Sequence, residues 1–436
     1  MKPSFRTSLF KLLAVGAFFY ATYGFANWFA AQRNGIPEIA FAWESAIPFW
    51  PWTIVPYWTL NFFYALAFFL CSDVRQQNRY IAQLLAAQVL AVSCFLLFPL
   101  QFSWPKPDTD GLFGGLFASL AAFDQPYNQA PSLHIILVLV VGRFYWYRLP
   151  EKWRAVWFAW FALIALSVLT TWQHHFIDIP TGLLAGALVL WTLPWHGNEA
   201  ARSPLCSRIN PSKRYGVWVL VYVLLSTGCA ALACLGGFWL WWLWPAVSCI
   251  LVATAYAYLG TAVWQKQHNG RFSLAASLLL WPHRIGMEAN RRFWLHRQST
   301  NSEILPGKIH IGSIAEADKF GAVLDVCAEL PAKRVPAVYA SVPMLDMVAP
   351  TAADLRLAAG ILQKFLQQHR GPVLVCCALG YGRSVAAVLA WLLLYGGIED
   401  LEEAVAIIRN VRPGMVLPPA TRRAVLSVVK TESRYG

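Results

Sequence analysis

A multi-span α-helical membrane region of about eight transmembrane helices, followed by a small soluble α/β domain, is the fold class that the sequence predicts. Three observations carry this reading. The 436-residue chain is 58% apolar and only 13% charged, with 22 tryptophans, which is the composition of a membrane protein. Eight apolar stretches, near 9–30, 52–71, 80–102, 132–149, 154–173, 178–196, 217–237 and 243–264, approach the roughly 20 residues that a bilayer-crossing helix needs. From residue 301 onward the pattern changes. Short β-type runs ("AVLDVCA", "VPAVYA", "PVLVC") alternate with helical ones ("TAADLRLAAGILQKFLQQH", "IEDLEEAVAIIRN"), the signature of an α/β domain with a mainly parallel sheet.

The first apolar stretch is long and aromatic and lacks an Ala-x-Ala exit, so it reads as a span and not as a cleaved signal. Orientation follows from lysine and arginine in the short loops. Lys2, Arg6 and Lys11 precede the first span; Arg75 and Arg79 follow the second, Arg143 to Arg154 the fourth, Arg202 to Arg214 the sixth, and Lys266 and Arg271 the eighth. The alternate loops hold little more than Arg33 and Lys106. Both termini are therefore expected in the cytoplasm, with the loops at 31–51, 103–131 and 172–178 on the other side. Residues 1–264 form the transmembrane region, and 301–436 the soluble domain. Between them, 265–300 carries "RFSLAASLLLWPHRIGMEANRRFWLHR", too short an apolar run to cross, with interspersed basic residues. It reads as a basic interfacial helix and linker.

Charge and cysteine usage exclude other classes. The first 300 residues carry 21 Lys+Arg against 10 Asp+Glu, the remainder 14 against 12. Such an excess in a membrane region fits cytoplasmic loops and anionic headgroups, not nucleic acid. The nine cysteines are scattered without metal-type spacing, which argues against a disulfide framework or a metal site. No cofactor is implied.

Two polar clusters fall on the same expected membrane side. "NQAPSLHIILVLV" places Ser132 and His134 at the start of one span; "TTWQHHFIDIPTG" places His174 and Asp178 at a junction. Ionisable residues there are functional candidates by default. His174 has the chemistry to attack phosphorus and form a phosphohistidine. Asp178, four residues on, can hold the imidazole by its other nitrogen. His134 can protonate the leaving oxygen, and Ser132 with nearby helix-start amides can take phosphate oxygens. Any one histidine alone reads better as an interfacial cap; the constellation does not.

"PSLH" and "HHFIDIPTG" resemble the second and third signatures of the membrane-embedded phosphatidic acid phosphatase superfamily, nearest its inositolphosphotransferase and sphingomyelin-synthase-like branch. The resemblance covers about 52–196. It implies a six-helix core with an outward-facing site, His174 as nucleophile and His134 as acid, in the inner (plasma) membrane. The chain departs from the pattern in three places. Lys106-Pro107 stands where a lysine with a later Arg-Pro is usual, making Lys106 a phosphate-ligand candidate. Thr170 and Thr171 stand where an arginine is expected, and Leu133 replaces a common glycine.

The second chemistry lies at 377–384, Cys-Ala-Leu-Gly-Tyr-Gly-Arg-Ser, entered by a β-type run and left by an apolar helix. A strand–loop–helix lets successive amides form an anion nest, with the helix N-terminus behind it. Gly380 and Gly382 ease unusual backbone angles. Arg383 can grip two phosphate oxygens, and Cys377 is placed to attack phosphorus as the thiolate. Asp346, in "SVPMLDMVAP", can supply the leaving-group proton, and Ser384 can assist release of the sulfur.

"LPGKIHIGSIAEA", "VLDVCAE", this loop and "VRPGMVLPPATRRAV" are similar to landmarks of the dual-specificity branch of the cysteine phosphatases over about 304–430. The resemblance implies Cys377 as nucleophile, Arg383 as phosphate ligand and Asp346 as acid. Cys376 stands where that family normally has histidine. The combined expectation is a bifunctional membrane phosphatase, with a histidine site outside and a thiol site in the cytoplasm, acting on phospholipids or lipid-linked phosphates. A membrane-tethered protein phosphatase acting on phosphoproteins is the alternative, and a non-catalytic scaffold binding phosphorylated partners is a third reading.

Overall fold

The computed structural model describes residues 2–195 and 213–430. The basic loop around Arg202 and Arg208, used above for orientation, lies outside the described residues. Two compact units emerge: Met1–His196 with Leu235–Leu240, and Gly197–Cys234 with Trp241–Gly436.

The first unit is helical: α1 (Phe5–Ala31), α2 (Ile54–Leu70), α3 (Val74–Leu97), α4 (Gly111–Ala121), α5 (Leu133–Arg148), α6 (Glu151–Thr170) and α7 (Asp178–Thr192). Helix starts use the caps the sequence offers. The side chains of Ser4 and Asp73 accept the amides of Thr7 and Gln76, which satisfies donors a helix otherwise leaves open. Helix α5 is central, packing against α2, α3, α6 and α7, and nine of its 16 residues are buried.

Two glycines one turn apart let α7 approach α5. A Cβ on Gly182 would lie 2.7 Å from Ile135 Cβ and 2.9 Å from Ser132 O, and one on Gly186 would lie 3.2 Å from Leu139 Cδ2. This is the small-xxx-small packing common between membrane helices. It also carries the histidine cluster, because the Ser132 amide donates to Asp178 O at 3.3 Å across the same crossing. Gly182→Val is expected to part the two helices. Displacement of the histidines by about 1 Å is worth about 10²-fold in rate, so histidine-site turnover should fall by about that factor while thiol-site turnover in the same preparation persists.

Six helical segments among the described residues are long and apolar enough to cross a membrane: Phe5–Ala31, Pro51–Leu70, Val74–Leu97, Glu151–Thr170, Tyr215–Ala233 and Gly237–Trp264. The expected spans at 132–149 and 178–196 are instead the 16-residue α5 and 15-residue α7. Both fall short of the roughly 20 residues of a full crossing. The sequence count of about eight is thus not reached by length and hydropathy. The two short helices carry His134 and, at the first position of α7, Asp178.

In the second unit, α8 (Lys213–Ala233) packs on α9 (Leu243–Thr254), which continues through a wider π turn at Ala255–Leu259 and a tighter 3-10 turn to Trp264. Helices α10 (Leu274–Leu279) and α11 (Trp281–Leu295) precede β1 (Asn301–Leu305), β2 (Ile309–Ser313), β3 (Ala322–Cys327) and β4 (Val338–Met344). Then come α12 (Ala352–Gln368), β5 (Val373–Cys377), α13 (Arg383–Tyr395), α14 (Leu401–Val411) and α15 (Pro419–Lys430). The strands form one mixed sheet in the order β1-β2-β5-β3-β4. Only the β1–β2 pair is antiparallel.

Strand β5 is buried at all five positions, as its unbroken apolar run requires when both sheet faces are covered. Val373, Val375 and Cys377 belong to the core shared with α12 to α15. Leu374 and Cys376 face the other way, with Val323, Cys327 and, from α11, Met287. The segment expected to lie at the bilayer interface therefore contributes to the sheet's second face, while its Phe293 and Trp294 remain 70% and 50% exposed. The start of the segment is also pinned. Lys266 Nζ lies 2.6 Å from Asp325 Oδ2, and donates to Cys327 O at 2.6 Å and Leu330 O at 2.9 Å.

Two candidate active sites

In the helical unit, α6 ends in a turn with Trp172 at φ +49°. The amides of Gln173 and His174 both donate to Val168 O. A bulky residue in the left-handed region is costly and persists where surroundings enforce it, often at functional sites. The turn buries His174 with its Nδ1 3.1 Å from Asp178 Oδ2, which leaves Nε2 for chemistry. The same carboxylate oxygen accepts the His175 amide at 3.0 Å. His134 stacks on Tyr57 with ring centroids 4.0 Å apart. Its Nε2 is buried and has no hydrogen-bond partner among the described residues, and a buried polar atom of this kind calls for a partner such as water, an ion or a substrate oxygen.

The remaining expected residues divide. Ser132 is buried and its Oγ accepts the Ile135 amide at 3.3 Å, capping α5; its hydroxyl hydrogen stays available as a donor. Lys106 is exposed on the loop before α4 and makes no hydrogen bond or ion pair to any described residue. The sequence reading passed over two carboxylates. Glu44 Oε2 lies 3.2 Å from His175 Nδ1 and accepts the Phe176 amide at 2.8 Å, while the Ser103 amide donates to His175 Nε2 at 3.1 Å. His175 is thus held on both nitrogens and buttresses the loop beside the nucleophile candidate. Asp124 accepts from Tyr23 OH at 2.7 Å.

In the α/β unit, the loop between β5 and α13 turns its carbonyls outward. Ser313 Oγ donates to Ala378 O, Arg412 to Leu379 O and Gly380 O, and the Val416 amide to Tyr381 O. With four consecutive carbonyls tied from behind, the amides are left for the concave side, which is how a nest forms. Gly380 N donates to Cys377 Sγ at 3.2 Å, and Ser384 Oγ lies 3.4 Å from the same sulfur. Gly380 sits at φ +81°, and a Cβ there would lie 2.5 Å from Gly312 C, so glycine is required twice over. Gly382 differs, with φ −122° as the N-cap of α13; it needs no left-handed angle.

Arg383 departs from the expectation of a guanidinium free for phosphate. Its Nη1 donates to Glu329 Oε2 at 2.7 Å and Met344 O at 2.9 Å, and its Nη2 to Glu329 Oε1 at 2.5 Å. Nη2 also lies 3.2 Å from Asp346 Oδ1. The physical reason is burial: a desolvated cation needs a partner, and Glu329 at the end of "VLDVCAE" supplies it. Burial alone would raise the Glu329 carboxyl, but Arg383 brings it down to about 2. Asp346 is raised instead, by burial and by the Glu329 charge, against the pull of Arg383. Met347, next to Asp346, has φ +59° and is exposed.

Arg412 is a further residue that sequence reasoning missed. It is buried, and beyond the loop carbonyls it donates to Ser302 Oγ at 2.9 Å and lies 3.9 Å over the Tyr381 ring. Cys377, Arg383 and Asp346 share a cavity of about 910 Å³. Its other walls include Tyr215 of α8, Met287, Arg291 and Trp294 of α11, and Pro418 before α15.

A model of the PAP2 superfamily matches residues 50–193, and one of the dual specificity phosphatase catalytic domain matches residues 307–428. The chain joins two phosphatase domains. It is a phosphoric monoester hydrolase, and its apolar helices are those of a membrane protein. Similar solved structures include PTPMT1 in complex with PI(5)P, 18% identical over 32% of this chain and 100% of that one, with TM-score 0.27. Human DUSP28 is 19% identical over 31% and 96%, with TM-score 0.28. The active form of Tk-PTP is 25% identical over 30% and 95%, with TM-score 0.25. No curated protein matches. Cys377, Arg383, Asp346, Glu329 and Arg412 fall inside the dual-specificity domain, and the histidines inside the PAP2 domain. Lys266, Tyr215 and α11 lie outside both matches.

Proposed function

We propose that the chain is a bifunctional membrane phosphatase acting on phospholipids or lipid-linked phosphates. In this reading the histidine site faces the outer side and the thiol site the cytoplasm of the inner membrane, with both termini cytoplasmic, as the loop charges favour. The observation that best supports a lipid substrate is the thiol cavity itself. Tyr215, where a candidate membrane span begins, lines it together with Cys377, Asp346 and Arg383. Apolar walls from Met287, Trp294, Val348 and Pro418 complete it.

In the thiol site, substrate phosphate takes the loop amides and competes with Asp346 for Arg383. Nη1 is saturated by Glu329 and Met344 O, whereas Nε and the Nη2 hydrogen now on Asp346 form the edge a phosphate can use,. Binding thereby frees Asp346. Cys377 Sγ attacks phosphorus, the bond to the leaving oxygen breaks, and Asp346 gives that oxygen its proton. Water then attacks the cysteinyl phosphate, Asp346 takes its proton, and Ser384 hydrogen-bonds the departing sulfur. In the histidine site, His174 attacks phosphorus with Asp178 holding Nδ1, and His134 protonates the leaving oxygen; Ser132 and Lys106 serve the phosphate. Water or another hydroxyl then attacks the phosphohistidine, giving hydrolysis or head-group transfer.

The raised Asp346 carboxyl sets a pH dependence. A group that must be protonated loses activity as pH rises through its pKa, so the descending limb lies above the ordinary carboxylate range,. Asp346→Asn is expected to remove that limb and slow alkyl phosphates about 10²- to 10³-fold, with a much smaller effect on aryl phosphates whose leaving group needs no proton. A pH–kcat/KM profile with both substrates checks it.

The substrate class is tested with full-length His174→Ala protein in nanodiscs, offered phosphatidic acid or a phosphotyrosyl peptide. A kcat/KM for the lipid at least about tenfold higher is the expected result, a transition-state difference of about 1.4 kcal/mol. Preference for the peptide would replace this reading by the tethered protein phosphatase.

A further inference from the structure

Resting on the lipid-phosphate reading, we propose that Arg291 makes the thiol pocket selective for lipids carrying a second anionic group beyond the phosphomonoester that Cys377 attacks. Arg291 lies outside the dual-specificity match at 307–428 and comes from α11, which follows the last candidate span at Gly237–Trp264 after α10. Met287, Asn290, Arg291 and Trp294 recur at i, i+3, i+4 and i+7 and line the pocket as one face of α11,. At about 910 Å³ the cavity lies near the top of the roughly 300–1,000 Å³ range of ligand sites. A phosphate on the Cys377 loop fills a small part of it.

The rest of that space is not uniformly apolar. Arg291 has a side chain only 12% exposed. Its Nε and Nη2 bind Glu288 at 2.8 and 2.6 Å, and Glu288 also accepts from Arg292 Nε at 2.9 Å. Two guanidinium groups therefore share one carboxylate, and Arg291 Nη1 has no partner among the described residues. Glu288 fixes the plane of the guanidinium without cancelling the local positive charge, a preorganised arrangement for an oxyanion. Arg423 of α15, exposed and also lining the pocket, adds a second cation. Trp294, with its indole nitrogen on Asn290 Oδ1 at 3.1 Å, and Met287 flank this cation with apolar surface. A glycerophospholipid whose head group ends in a phosphomonoester fits all three features. The monoester takes the Cys377 loop, the phosphodiester takes Arg291, and the acyl side runs along Met287 and Trp294.

The test uses the full chain with His174→Ala in nanodiscs of neutral lipid. It compares phosphatidic acid, which carries one phosphate, with a phosphatidylinositol monophosphate of the same acyl chains. The expected kcat/KM ratio favours the two-phosphate lipid about 10- to 100-fold, the factor of one charge-assisted hydrogen bond in a partly desolvated site. In Arg291→Gln that ratio should collapse toward one, and Arg291→Lys should restore part of it. A wild-type ratio near one, or an unchanged ratio in Arg291→Gln, would overturn the proposal. Equal cleavage of the deacylated head group would overturn its lipid half. Failure of both lipids while an aryl phosphate is cleaved would instead bring down the lipid-phosphate reading on which it rests.

Discussion

Cys377→Ser is expected to reduce thiol-site turnover by about 10⁴-fold or more while leaving the fold intact. The substitution changes one atom, and a hydroxyl fits where the sulfur sits between Gly380 N and Ser384 Oγ. A serine hydroxyl is not ionised near neutral pH, so the same amides and the same Arg383 then surround a poor nucleophile. Thermal unfolding of the variant, measured beside phosphate release, separates lost chemistry from lost structure. The adjacent Cys376 supplies the contrast. It is wholly buried on the opposite sheet face with Val323 and Leu374, and burial, with the Asp325 charge, pushes its thiol well up. Cys376→Ala should therefore cost about 1 kcal/mol of packing and change kcat only a few-fold.

Lys266→Met is expected to destabilise the α/β unit by about 3–5 kcal/mol, the usual cost of breaking a buried ion pair from one side. Asp325 is fully buried, and its carboxylate is satisfied by Lys266 Nζ at 2.6 Å, Tyr339 OH at 2.6 Å and the Cys327 amide at 2.8 Å. Removing the ammonium leaves an uncompensated charge beneath the strand that leads to Cys377. The double variant Lys266→Met with Asp325→Asn should recover much of the loss, because it removes the buried charge together with its partner. Denaturant unfolding of the α/β unit in the full chain, read as a double-mutant cycle, gives the coupling. The same pair makes a second expectation. A fragment of residues 301–436 lacks Lys266 and should fail to unfold cooperatively, whereas one starting at 265 retains the strut.

Much of this architecture could be read from one-dimensional pattern. Apolar runs located the helices, and the turn from apolar monotony to alternating runs located the sheet, because burial on both faces leaves β5 no polar positions. His174 with Asp178, and Cys377 with Gly380 and Arg383, were visible because local spacing brings each set together on one turn or loop. What stayed hidden depends on distant partners. Lys266 resembles any basic linker residue until Asp325 is seen beneath it. Glu329 and Arg412 sat inside family landmarks without an apparent task. The first turns out to hold Arg383, and the second to hold the loop carbonyls. Glu44 reaches His175 across 131 positions, a separation that no periodicity encodes. The lengths of α5 and α7 were overestimated because apolar residues continue past their C-terminal ends, Leu149 after α5 and Leu193 to Trp195 after α7, where the helical hydrogen bonding has already stopped.

The most direct measurement follows phosphate release in sealed vesicles of known orientation, using a membrane-impermeant short-chain lipid phosphate added from one side. The Cys377→Ser protein should be active only when the side opposite the termini is exposed. The His174→Ala protein should be active only when the termini side is exposed, and the double variant should be silent from either. Activity of both single variants from the same side, or phosphate release by the double variant, would contradict two nucleophiles working on opposite faces of one membrane.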